Sequence, residues 1–77
     1  MKNKIIELII KVSYDTSLKE DPDIDLIENG ILDSLAFINL MSELEDEFDI
    51  EIQPTQIPSE VWRYVDSIVE FVETKIS

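Results

Sequence analysis

Seventy-seven residues carry 18 Asp or Glu against 6 Lys or Arg, a formal net charge of −12, with no histidine and no cysteine. Disulfides, thiolate or imidazole metal sites, histidine acid–base chemistry and cysteine nucleophiles are therefore excluded. An acid excess of this size repels phosphate backbones and anionic lipid headgroups, so nucleic-acid and membrane-surface binding are excluded as well and protein partners should be basic.

An apolar fraction of 44% predicts a folded domain rather than an acidic tail, and the length predicts one domain spanning 1–77. The charge is unevenly placed: residues 20–60 hold thirteen acids and no base, while both ends are nearly neutral. Glu7 and Lys11 interrupt the first apolar run, which reads neither as a secretory signal nor as a membrane span.

Ile5, Leu8, Ile9 and Val12 fall at i, i+3, i+4 and i+7 and predict an amphipathic helix over 3–14. From Asp15 to Asp33 no helical period persists. Pro22 and Asn29-Gly30 punctuate that stretch, and Leu18, Ile24, Leu26, Ile27, Ile31 and Leu32 should peg it to the core as a long loop.

Phe37, Leu40, Met41, Leu44 and Phe48 lie within an arc of about 100° at helical spacing and predict a second helix over 34–48, capped by Asp33 or Ser34. Its polar face carries one apolar residue, Leu35. Pro54 and Pro58 bracket a predicted short third helix. Val61, Val65, Ile68, Val69, Val72 and Ile76 then predict a last helix over about 59–75, begun by Pro58-Ser59. Three longer helices, one short helix and no strand make an all-α, four-helix bundle the expected fold. The aromatic residues Phe37, Phe48, Trp62 and Phe71 are expected in the core or lining a groove.

Asp21, Asp23 and Asp25 imitate a calcium loop, but the sixth and twelfth positions of such a loop would be Leu26 and Leu32, so no metal site is expected. Asp33-Ser34-Leu35 stands at a loop-to-helix junction. Without a histidine, a nearby lysine or a Gly-x-Ser-x-Gly turn, Ser34 is not a self-activated nucleophile, and the chain is not expected to be an enzyme. A hydroxyl at a helix N-terminus is nevertheless well placed to carry a phosphate ester made by another protein.

Gly30-Ile31-Leu32-Asp33-Ser34-Leu35, followed by a helix ending Glu45-Asp46-Glu47-Phe48-Asp49-Ile50, resembles the acyl carrier protein family over essentially the whole chain. The resemblance implies a four-helix bundle in which Ser34, flanked by Asp33 and Leu35, bears 4′-phosphopantetheine holding an acyl or aminoacyl group as a thioester. It also implies, as partners, a phosphopantetheinyl transferase, an adenylating ligase and a downstream acyltransferase or synthase, with the carrier in the cytoplasm, while the net charge of −12 argues against self-association and predicts a monomer.

Within the family the pattern is similar to the D-alanyl carriers of teichoic acid modification. Lys19-Glu20-Asp21-Pro22-Asp23-Ile24, Phe48-Asp49-Ile50 with Thr55, and Trp62 fourteen residues beyond Phe48 carry that likeness. Ala36 and Asn39 depart from the acids usual in fatty-acid carriers, while Asn39, Glu47 and Arg63 depart from the D-alanyl pattern. A carrier of fatty acid, polyketide or other pathway-specific synthesis is the alternative, and an acidic adaptor without cofactor a second. Fast electrostatic encounter would suit such a carrier. Glu43, Asp46 and Glu47 with Leu35 are accordingly expected to form a docking strip.

Overall fold

The computed structural model describes residues 1–53 and 57–76. Three α-helices, α1 (Lys2–Ser13), α2 (Ser34–Phe48) and α3 (Val65–Ile76), are joined through 3₁₀ turns at Ser17–Lys19 and Ser59–Trp62. No strand occurs among the described residues. The expected short third helix between Pro54 and Pro58 falls largely on residues 54–56, outside those described.

The apolar stripe of α1 buries Ile5, Leu8 and Ile9. The helix stops where Tyr14 takes a left-handed conformation (φ 61°) and returns its N–H to the Ile10 carbonyl at 2.8 Å. Helix α2 occupies the predicted span and buries Ala36, Leu40 and Leu44, with Phe37, Met41 and Phe48 half-buried against the same core. From α3 come Val65, Ile68 and Val72.

The last helix departs from expectation: it begins at Val65 rather than near residue 59, and a separate 3₁₀ turn precedes it. In a continuous helix the Arg63 carbonyl would accept from residue 67. Here the Leu26 N–H takes it, at 2.7 Å, and the first α-type bond runs from the Ile68 N–H to the Tyr64 carbonyl. The Ser67 hydroxyl lies 2.7 Å from the Val61 carbonyl and 2.8 Å from that of Tyr64, which it can serve in place of the missing turn.

The long first loop is fastened at several points. Leu18, Leu26, Ile31 and Leu32 are buried, whereas Ile27 stays 42% exposed. The Leu26 carbonyl accepts from the N–H groups of both Ile31 and Leu32, closing a turn in which Gly30 has φ 70°. Open space surrounds the point where a Cβ would stand, so backbone conformation and not crowding makes glycine suit this position.

Asp25 anchors the same turn through its side chain, which accepts from the N–H groups of Glu28 (2.9 Å) and Ile27 (3.1 Å) and pairs with the Arg63 guanidinium. Partial burial pushes its carboxyl upward. The Glu28 N–H, the Arg63 guanidinium and the Ile27 N–H together outweigh that effect and hold its pKa below the ordinary 3.8. A depressed carboxylate stabilises the fold fully above its unfolded pKa, and the contribution is lost as pH falls through the folded value. Denaturant midpoints of the wild type and Asp25→Asn should therefore differ most near neutrality and converge below about pH 4. A difference independent of pH would contradict this role.

Candidate functional site

Asp33 leaves the loop in an extended conformation, and its Oδ1 accepts from the Ala36 N–H at 2.8 Å while its carbonyl accepts from Phe37. It is the N-cap of α2, a role that contributes about 1 kcal/mol. Ser34 follows as the first helical residue. Its side chain is exposed and makes no hydrogen bond among the described residues. With Ala36 satisfied by Asp33, the N–H groups of Ser34 and Leu35 remain among the free donors of the helix start. A phosphodiester on the Ser34 oxygen would meet those donors and the positive end of a 15-residue helix.

Two apolar side chains flank the serine on the surface, Leu35 at 69% exposure and Ile38 at 58%. Leu35 was legible as an apolar residue on a polar face. Ile38 was passed over, although its helical phase lies between those of Ser34 and Leu35 and outside the core stripe.

The expected docking acids separate into two kinds. Glu43 lies 3.1 Å from Lys11 and Glu47 lies 2.8 Å from Lys4, so both are tied across the antiparallel α1–α2 interface. Asp46 is exposed between them and has no ion pair among the described residues. Exposed pairs of this kind add little stability. They do set Glu43 and Glu47, each held by a lysine of α1, apart from Asp46 and Leu35, which stand open to solvent. Asp21 and Asp25 are occupied in turning the loop, their carboxylates accepting from nearby backbone N–H groups.

Beside Ser34 opens a groove of about 230 Å³ walled by Ile27, Leu32, Phe37 and Trp62, with Asp33 and Ser34 in its lining. Trp62 is 3% exposed and packs edge-on against Phe37 (5.1 Å between centroids) and Phe71 (5.6 Å), as expected of core aromatics. Its Nε1–H is buried with no acceptor among the described residues. An unsatisfied buried donor costs about 1–3 kcal/mol, and nothing in the sequence pattern reveals it. An exposed, uncommitted hydroxyl on a helix start, next to an apolar groove, suits a flexible arm joined through a phosphate.

The family model for the phosphopantetheine attachment site matches residues 3–72. The chain is 41% identical over 75 residues to the D-alanyl carrier protein of Lactococcus lactis subsp. lactis (strain IL1403), covering 97% of this chain and 95% of that protein. It is 34% identical over 68 residues to the D-alanyl carrier protein of Bacillus subtilis (strain 168), covering 88% and 87%. With the protein of the same name from Staphylococcus xylosus it shares 31% identity over 72 residues, covering 94% and 92%.

Proposed function

This chain belongs to the phosphopantetheine-attachment family, and from that premise we propose that Ser34 bears the 4′-phosphopantetheine and that the thiol of the arm carries D-alanine for teichoic acid D-alanylation. One observation carries the site assignment: Ser34 is an exposed hydroxyl without a hydrogen-bond partner among the described residues, placed at the capped N-terminus of α2. The arm brings the thiol that a cysteine-free chain lacks.

In attachment, Ser34 Oγ bonds to the phosphorus of coenzyme A as the pyrophosphate P–O bond breaks. Adenosine 3′,5′-bisphosphate leaves with the electron pair. The hydroxyl proton goes to a base on the transferase, because this chain has no histidine and the Asp33 carboxylate already accepts from Ala36. Asp33 thus orients the helix start, the free N–H groups of Ser34 and Leu35 would be the donors available to the phosphate, and the chain performs no catalysis of its own.

Support for D-alanine comes from the relatives' shared name and from the groove, whose modest volume suits the arm better than a long acyl chain. Two departures from the D-alanyl pattern have local roles here, Glu47 pairing with Lys4 and Arg63 with Asp25, while Asn39 faces solvent. Loading by an ATP-dependent adenylating ligase implies a cytoplasmic carrier, and the large net charge opposes self-association. No described helix is long and apolar enough to cross a membrane.

The modified chain, given D-alanine, ATP and a D-alanine-adenylating ligase, is expected to take up one D-alanine that hydroxylamine releases. Refusal of D-alanine together with uptake of long acyl groups would move the assignment to fatty-acid or polyketide synthesis.

A further inference from the structure

Core packing alone does not explain the Trp62 nitrogen, which is buried without a partner among the described residues. A phenylalanine could fill the aromatic contacts with Phe37 and Phe71 without burying a donor. Buried polar groups in folded proteins nearly always find a partner, and this one has none among the described residues, which leaves it open to an acceptor on a bound group. The same indole lines the groove that also contains Ser34, between the apolar side chains of Ile27, Leu32 and Phe37. A complementary ligand has a branched apolar portion and a carbonyl oxygen a few bonds from its point of attachment. Phosphopantetheine has both, a gem-dimethyl carbon followed by an amide.

We propose that the Trp62 Nε1–H donates a hydrogen bond to an amide carbonyl oxygen of the arm on Ser34, laying the first section of the arm along this groove. Trp62 is then a positioning residue for the arm, and it touches neither the thioester nor the cargo. Ile27, 42% exposed, is the wall least held by packing and the side chain best able to yield when the carbonyl approaches. The inference rests on the Ser34 reading, and the test separates the two.

The chain has a single tryptophan, so its indole N–H gives one assignable resonance in ¹⁵N-labelled protein. Samples before and after modification are compared, with intact mass showing that the arm is on. Attachment is expected to move the indole proton downfield and slow its exchange with solvent about fivefold, the factor given by one ordinary net hydrogen bond. Trp62→Phe keeps the aromatic packing and removes the donor; the rise in denaturation midpoint that modification gives the wild type should be absent from it. An indole resonance unmoved in fully modified protein overturns the inference while leaving Ser34 as the attachment point. A chain that never gains the arm overturns both. Should Trp62→Phe not fold, the resonance comparison decides alone.

Discussion

Leu26→Ala is expected to destabilise the protein by about 2–5 kcal/mol, the usual range for emptying a fully buried leucine site. For a domain of this length that is a large part of the roughly 4–11 kcal/mol available. Leu26 is 0% exposed, and it sits where three parts of the chain meet. Its N–H holds the Arg63 carbonyl ahead of α3, its carbonyl closes the turn through Ile31 and Leu32, and its neighbour Asp25 pairs with Arg63. Truncation leaves a cavity and loosens the bonds that keep the loop on the bundle. The effect should reach the candidate site, because Ile27 and Leu32 wall the groove beside Ser34. Urea titration measures the loss, with Ile27→Ala as a control expected to change stability by about 0.5 kcal/mol or less. A cost for Leu26→Ala no larger than that of the control would show that the loop is not fastened there.

How far residue order alone reveals this architecture depends on whether the deciding interaction is local. Helix α2 was legible from end to end because its stripe, its Asp33 cap and its exit at Asp49 all lie within one segment. The end of α1 was legible to within a residue for the same reason. The last helix was read as starting too early because Val61 and Val65 keep helical spacing across a break. Periodicity could not register that the Arg63 carbonyl is taken by Leu26, 37 positions away. The pegs of the long loop were found by their apolar character, yet Ile27 turned outward into the groove wall.

At the site, Asp33, Ser34 and Leu35 were legible as a capped helix start with a misplaced apolar neighbour. Ile38 was available to the same reasoning and was missed. The pairing of Glu43 and Glu47 with Lys11 and Lys4 depends on how two helices meet, and the unpaired Trp62 nitrogen depends on what surrounds it. Neither has a signature in residue order.

Ser34→Ala should have the largest functional effect, complete loss of arm attachment with the fold intact. The hydroxyl is exposed and bonds to nothing among the described residues, so its removal should change stability by about 0.5 kcal/mol or less, while Asp33 still caps α2. Ser59, which lines the same groove, begins only a short 3₁₀ turn and lacks the strong N-terminal field of an α-helix. Intact mass is the direct measurement: each purified chain is incubated with coenzyme A and a phosphopantetheinyl transferase shown to be active on another carrier. The wild type should gain the mass of a single phosphopantetheine and Ser34→Ala none. A wild type that remains bare, or a Ser34→Ala chain that still gains the arm, would contradict the account.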